Sequence, residues 1–563
     1  MGFLNKGKLN TFFWKTFSFF VAKAKRHVGY APFNKRLPSV AIIYDPSHDP
    51  NFHLSDYLGY LTDNFNIILF LPESYRSSPE INIEKCWRVY YFGPRELQNP
   101  IKFYFSWFLL SAHPIRFVLI NANVGRFLMH YLWQKHIASL LLIGENHPLE
   151  GKTLNRVIAY ATRVIYDRYE TFMKTLTNAL WAFPDSVDYL VPPDSKNAEE
   201  LQNYISRITN IGYKAQKQLI QENKDAGFLS HSPEFDIPYW SGKNKPRFNR
   251  FRYARHYIRN YKSGASAARP RAGFHPGIYA ENHDLGEERV DPFVHYLKSD
   301  KPDGKWNWNV LTSPDIVSSP DIGLKIALHI HAYYPHMLEA ILEKLRANKI
   351  RPDLFISVKN ESDKLSVQLL VDKYEGKTVI EVVPNRGRDI GPLFTEFGKE
   401  LVQHYEIIGH IHTKQSLHET DRKMVANWNT FLMTNLLGDG KTIKMADVIL
   451  HYMQTHEKTA LIFPDDKYAV GWAGNYQAGL ELAKRLKIET LPKYIVFPTG
   501  TMFWAKADVL KPFVNLDLQW NDYPQEPLAL DGTFLHAIER MFTLTCYQKG
   551  YDIVTTYLPH KTR

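Results

Sequence analysis

Cysteine is scarce. Only Cys86 and Cys546 occur in 563 residues, so at most one bridge could form and a disulfide scaffold is excluded. Neither sits at a metal-ligand spacing, and so few thiols point to a reducing compartment. No apolar run reaches the ~20 residues a spanning helix needs. The chain carries no zinc-finger spacing, no RNP-type motif and no basic heptads. Nucleic acid is therefore not an expected partner, although the formal net charge is +11. A G-x-G-x-x-G fingerprint is also missing, which leaves a dinucleotide unsupported.

What is present is a globular composition, 44% apolar and 14% aromatic. A chain of this length exceeds what one core holds, so two or three domains are expected. The positive charge suits an anionic membrane surface or a phosphorylated substrate. It is dense at 6–36 and again at 243–271. In residues 1–37, Phe12, Phe13, Trp14, Phe17, Phe19 and Phe20 are flanked by lysines. That pattern fits a segment lying in a membrane interface, and equally a helix packed on the protein's own surface. It is too interrupted for a cleaved signal peptide.

From residue 38 to 225, short apolar runs alternate with helical periodicity. Strands are expected at Val40–Tyr44, Ile67–Leu71, Trp87–Phe92, Val118–Ile120, Ser139–Ile143 and Ala179–Phe183. Helices are expected at His53–Leu61, Phe103–Leu110, up to Trp133, and from Leu154 towards Phe172. The alternation predicts a Rossmann-like domain. Its ligand face would be the strand ends at Asp45, Asn121, Glu145, His147 and Asp185. In topology it is similar to the first half of a GT-B glycosyltransferase, and a scaffold role is equally open. After a charged helix over 199–224, periodicity fails between 226 and 320. That stretch is expected to be a structured connector whose basic part, 243–271, is exposed. No chemistry is assigned to His275 or His295.

The C-terminal domain, 321–563, repeats the alternation. Gly323–Ile330, Leu354–Val358, Val379–Val383 and Ile407–Ile411 are predicted strands. After the third comes Asn385-Arg386-Gly387-Arg388-Asp389-Ile390-Gly391. Its glycines permit tight backbone, and its arginines can fork onto phosphate or carboxylate oxygens. After the fourth come His410, His412 and Lys414. Basic groups gathered at neighbouring strand ends suit a diphosphate, since open α/β sheets bind ligands there. His410 and His412, one side of a strand apart, could instead ligate a divalent metal together with His329 and His331. Further on lie Asp465 and Asp466, then Trp472, then Met502, Phe503 and Trp504, and finally Asp531, which is placed to cap the helix bearing His536, Glu539 and Arg540.

The phrases VPNRGRDIGPLF, GHIHTKQS, IFPDDKYAVGWAGN, FPTGTMFWAKADVL and LDGTFLHAIER resemble the rhamnan synthesis protein F family, in this order and over about 323–560. The resemblance implies a glycosyltransferase for rhamnose-containing cell-wall or lipopolysaccharide glycans, with a GT-A-like catalytic domain. It implies a nucleotide-diphosphate sugar as donor, with L-rhamnose expected, and a lipid-linked glycan as acceptor. The enzyme would work in the cytoplasm, peripherally on the inner membrane face. On this reading Asp531 is the general base of an inverting transfer. Asn385, Arg386, Arg388, Asp389, His410, His412 and Lys414 hold the donor. Asp465, Asp466, Trp472, Met502, Phe503, His536, Glu539 and Arg540 face the acceptor. The sequence departs from the GT-A pattern in having His410-Ile411-His412 where an Asp-x-Asp metal site is usual. Lys414 could neutralise a diphosphate in its place, so metal is not required. The departure also leaves open a non-catalytic glycan-binding or assembly subunit.

Overall fold

The structure is a computed structural model. It describes residues 31–45, 54–76, 81–92, 115–122, 124, 126–143, 160–167, 187–190, 193, 197–242, 248–263, 266, 268–286, 289–312, 323–413, 422–469, 471–529 and 531–559. The chain forms two compact units of mixed α/β structure. The first comprises Met1–Phe228, Ala254–Ser266 and Leu285–Asp291; the second comprises Leu229–Tyr253, Ala267–Asp284 and Pro292–Arg563.

The first unit is built on seven strands: β1 Ser39–Tyr44, β2 Asn66–Pro72, β3 Arg88–Phe92, β4 Ile115–Asn121, β5 Ala138–Ile143, β6 Arg163–Tyr166 and β7 Val187–Tyr189. They lie in the order β3-β2-β1-β4-β5-β6-β7, and every pairing is parallel. β1 and β5 are buried along their whole length, which explains runs such as SVAIIY and ASLLLI. A parallel strand covered on both faces gains from β-branched and leucine side chains on either side. Separate apolar clusters accordingly pack on the two faces of this sheet.

One expectation for this unit needs correcting. The helix read from Leu154 towards Phe172 is interrupted by β6, whose RVIY segment pairs with β5 and buries three of its four residues. Its β-branched pair outweighs the apparent helical spacing. The expected helix at 103–110 and strand at 179–183 lie outside the described residues, as do Glu145, His147, Asp185 and most of 1–37.

The second unit holds eight strands: β8 Val310–Leu311, β9 Ile326–His331, β10 Asp353–Val358, β11 Thr378–Val382, β12 Ile407–His412, β13 Thr459–Pro464, β14 Phe503–Lys506 and β15 Asp552–Thr556. The order is β11-β10-β9-β12-β14-β13-β15-β8. Counted from β9 it runs 3-2-1-4-6-5-7, with β8 added at the edge. β14 pairs antiparallel to both its neighbours; the other pairings are parallel. Gly409 faces Trp504 across the β12–β14 pair. A Cβ there would come within 2.7 Å of both the Trp504 ring and Leu328, so glycine is what lets the indole lie on the sheet.

The 226–320 stretch is more ordered than its lost periodicity suggested. Helices occupy Ile237–Ser241, Arg250–Lys262, Pro276–Asn282 and Pro292–Lys298. Nor is its basic part uniformly exposed: Arg259 and Arg269 are fully buried. In the first unit Arg259 pairs with Glu222 at 3.0 Å. In the second, Arg269 meets Asp465 at 2.6 Å. Sequence reading took these arginines for a solvated face because their carboxylate partners lie far away in the chain.

Candidate active site

The Asn385–Gly391 turn leaves the C-terminal end of β11. Gly387 has φ +73° and Arg388 φ +51°, a left-handed conformation uncommon for arginine. A Cβ on Gly387 would lie 2.9 Å from Gly391 Cα, and one on Gly391 would lie 2.8 Å from the Arg386 carbonyl. The two glycines thus let the turn fold back on itself, and a π-helical turn, Pro392–Glu396, follows.

The two arginines diverge. Arg386 donates to the Tyr523 carbonyl at 2.7 Å and to the Asn521 side chain and carbonyl at 3.0 and 3.1 Å. It clamps the 521–523 segment. Arg388 instead lies 3.2 Å from His536 Nε2 and approaches Glu526 at 3.7 Å. Asn385 is exposed, and Lys414 lies outside the described residues.

Asp389 is buried and anchors a chain of side chains across three strand ends. The contacts are Asp389 Oδ2 to His410 Nε2 at 3.3 Å, His410 Nδ1 to His329 Nδ1 at 2.9 Å, His329 Nε2 to Ser357 Oγ at 3.1 Å, and Ser357 Oγ to His331 Nδ1 at 2.9 Å. An ionised carboxylate only accepts, and a neutral imidazole has one donor and one acceptor. The direction follows: His331 donates to Ser357, Ser357 to His329, His329 to His410, and His410 to Asp389. Burial alone would raise the Asp389 pKa. The imidazoles of His412, His410 and His331 outweigh it and hold the carboxyl well below its usual range. Burial lowers His410 despite Asp389, and lowers His329 strongly, reinforced by His410 and His331.

This geometry bears on the metal expectation. β9 and β12 pair with His329 opposite His410 and His331 opposite His412, so the four imidazoles do gather. Both nitrogens of His329 and His410 and Nδ1 of His331 are engaged with one another, with Ser357 and with Asp389, and His412 Nε2 with the Gly500 carbonyl at 2.8 Å. Among the described residues no group of three or more His, Cys, Asp or Glu is arranged to hold a metal ion.

The Phe534–Gln548 helix supplies the far side. Its N-cap is Thr533, not Asp531: Thr533 accepts from His536 N at 3.5 Å and lies 2.7 Å from His536 Nδ1. Asp531 is exposed. Its carboxylate accepts from Gly474 N at 3.2 Å and from the Asn475 side chain, while Asn475 accepts from Gly532 N at 2.8 Å. Burial, then the Arg388 charge, lowers the His536 pKa, against a raising pull from Asp531. Glu539 accepts from Gly500 N at 2.6 Å and pairs with Arg540 at 3.0 Å. Burial raises its pKa. Segments 130 residues apart and more thus converge on one place.

His412 Nδ1, Thr499 Oγ1 and Arg540 Nε are buried here without a hydrogen-bond partner among the described residues; Arg388 Nε, also without a hydrogen bond, faces Glu526 Oε1 at 3.7 Å. With its Nε2–H given to Gly500, His412 presents an acceptor at Nδ1, whereas the two arginines present donors. Buried polar groups are rarely left unpaired, which makes this cluster the candidate position for a polar ligand. Thr499 carried no weight in the sequence reading; its position just before Gly500, at φ +68°, was the available signal.

Of the acceptor-side candidates, His536, Glu539 and Arg540 lie in this cluster, and the others are engaged elsewhere. Asp465 uses both oxygens on Tyr239, Arg269, Gly273 N and Thr555, at 2.5, 2.6, 3.1 and 2.7 Å. Asp466 accepts from Trp428 Nε1 at 3.1 Å and Tyr468 N at 3.0 Å. Trp472, Met502, Phe503 and Trp504 are core residues, each at most 2% exposed.

Residues 294–551 match the family described as rhamnan synthesis protein F. The uncharacterized protein WxcX of Xanthomonas campestris pv. campestris, in strains B100 and ATCC 33913, is 26% identical over 267 residues. The match covers 45% of this chain and 37% of that protein's own length. Among solved structures, a keto acid-selecting NRPS module aligns at 10% identity with a TM-score of 0.16, over 78% of this chain and 31% of that one. A bacterial malonyl-CoA reductase C-domain gives the same identity and TM-score, over 62% and 72%. Likenesses this slight carry no argument. The family named for rhamnan synthesis is thus matched over less than half of this chain, and WxcX, itself uncharacterized, adds no activity to that likeness.

Proposed function

We propose that the second unit is a glycosyltransferase domain transferring a sugar, with L-rhamnose expected, from a nucleotide-diphosphate donor to a lipid-linked glycan. The observation that carries this is the set of buried groups without a hydrogen-bond partner on His412, Thr499 and Arg540, contributed by the end of β12, the turn before β14 and the Phe534–Gln548 helix, whose His536 contacts Arg388 in the turn after β11. Arginine donors suit the charge that develops on a departing diphosphate. The sheet order supports a GT-A-like reading, as it has a parallel half, β11-β10-β9-β12, followed by the antiparallel β14. The seven-stranded sheet of the first unit, reversing between β1 and β4, supports a Rossmann-like reading.

In the mechanism, Arg388 and Arg540 bind the diphosphate oxygens and stabilise them as the glycosidic bond breaks. Asp531, exposed and fixed through Gly474 and Asn475, takes the proton of the attacking acceptor hydroxyl. The oxygen lone pair forms the new bond at the anomeric carbon while the diphosphate leaves with the old one. His536 is held by Thr533 and Arg388 between these groups and orients Arg388. Asp389, kept ionised by the histidine chain, fixes the floor. No step is routed through a metal. Action on the inner membrane face fits the basic charge; among the described residues no helix is long and apolar enough to cross a membrane.

The test is turnover of a panel of nucleotide-diphosphate sugars by the purified chain, including slow hydrolysis without acceptor. Arg388→Ala should reduce kcat/KM at least a hundredfold with the fold intact, and Asp531→Asn should reduce kcat with little change in donor affinity. Neither binding nor turnover with any donor would favour a non-catalytic glycan-binding or assembly subunit, a reading that the His-Ile-His end of β12 favours.

A further inference from the structure

Two cavities of the second unit lie away from the reactive cluster. One, of about 770 Å³, is lined by Trp308, Asn309, Tyr452 and Tyr551 among others. The other, of about 750 Å³, is lined by Trp306, Tyr494 and Thr543 among others. Both volumes are typical of ligand sites. Gly304, Lys305 and Tyr547 line both, so the two form one elongated groove with a saddle where Lys305 Nζ sits 5.2 Å from the Tyr547 ring centre.

The geometry points to this groove as a holding site for an extended, uncharged oligosaccharide, the glycan being lengthened; this rests on the proposed transferase function. Three observations carry it. First, the lining alternates aromatic rings with amide, hydroxyl and charged groups, the mixture that stacks on sugar faces and hydrogen-bonds their hydroxyls. Trp306 is set beforehand: its indole N–H donates to the Pro302 carbonyl at 2.8 Å, and Tyr279 and His283 pack edge-on against it at 5.5 and 4.6 Å. Such pre-organisation lowers the ordering cost of binding. The buried Thr543 hydroxyl, which lines the second cavity, has no hydrogen-bond partner among the described residues.

Second, the charge argues against an anionic occupant. Three carboxylates and two lysines line the first cavity, and two of each the second, with Lys305 common to both. In a chain of net charge +11, this groove is among the places least suited to a phosphate-rich partner. Third, His536, Arg540, Thr543 and Tyr547 stand four, three and four residues apart on one helix. They form a single stripe, buried at Arg540 and Thr543, so the helix itself sets the separation of the reactive cluster from the groove at roughly 16 Å along its axis. A chain of a few sugars spans that distance.

The experiment is calorimetric titration of the full chain with rhamnose, mannose and glucose hexasaccharides, the corresponding monosaccharides, and a sulfated oligosaccharide as anionic control. At least one hexasaccharide should bind ten or more times tighter than its monosaccharide and tighter than the sulfated chain. Trp306→Ala should weaken it at least tenfold, and Lys305→Ala, a milder change at the saddle, about threefold. Arg388→Ala should leave it within twofold. Failure of all hexasaccharides to bind, insensitivity to both groove variants, or loss of binding in Arg388→Ala would each overturn the proposal. Retained, Trp306-dependent binding in a chain that turns over no nucleotide sugar would instead overturn the transferase reading and leave the groove standing.

Discussion

Replacing His329 by leucine tests the buried chain at its centre. At pH 8 the parent has every bond in it made. His329→Leu leaves His410 Nδ1 without its donor and Ser357 Oγ without its acceptor, two buried groups at about 1–3 kcal/mol each. A loss of roughly 2–6 kcal/mol is expected. Acid reverses part of it. The folded-state pKa of His329 is lowered by burial and by its neighbouring imidazoles, so below about pH 6.5 the unfolded chain takes up a proton that the folded one refuses. Stability then falls by about 1.4 kcal/mol per pH unit for each such group. The parent carries this penalty for His329 and the variant does not. The gap between them should therefore narrow by roughly 2 kcal/mol between pH 8 and pH 5. Guanidinium unfolding at pH 8, 7, 6 and 5, followed by tryptophan fluorescence, measures the gap directly. A gap constant with pH would mean that His329 is not held neutral. A gap that widens in acid would mean that the folded state binds the proton, so that His329 donates to Ser357 as well as to His410.

Arg269→Met should cost about 3–5 kcal/mol by stranding the buried Asp465 carboxylate, and adding Asp465→Asn should recover part of that in the same unfolding assay. Gly409→Ala should cost about 1–3 kcal/mol, because its methyl would press on Trp504 and Leu328; an unchanged midpoint would contradict the close β12–β14 approach. Thr533→Ala should cost only about 0.5–1 kcal/mol as a lost cap, given its long 3.5 Å bond. It should lower activity further by releasing His536, seen as a kcat loss out of proportion to the melting shift.

Strands were legible where burial on both faces wrote nearly continuous apolar runs, as in SVAIIY and ASLLLI, which became β1 and β5. Legibility failed where a strand was short and its neighbours mimicked helical spacing, as at β6. It failed also in the 226–320 stretch. There tyrosines and arginines on short helices are buried through partners such as Asp465, 196 residues beyond Arg269. A local window holds no trace of such a partner. The Asp531 cap went wrong by two residues: Thr533 offers a hydroxyl at the true N-cap, and Asp531 is drawn instead to the Gly474–Asn475 backbone and amide.

The histidines make the sharpest case. Their i, i+2 spacing on two strands correctly indicated that each pair shares one side, and the parallel register of β9 and β12 brings the pairs opposite one another. Spacing alone cannot separate four rings converging on an ion from three of them bonded in series with the fourth, His412, turned to the Gly500 carbonyl. Ser357 on β10 and Asp389 in the turn after β11 decide it. A hydroxyl that both donates and accepts lies between two imidazoles, and a carboxylate that only accepts ends the line. That end fixes every tautomer upstream. Asp389→Asn, whose amide can present either a donor or an acceptor, would remove the direction while keeping the shape. Its effect on catalysis would thus report whether the chain serves the site through its polarity or through its packing.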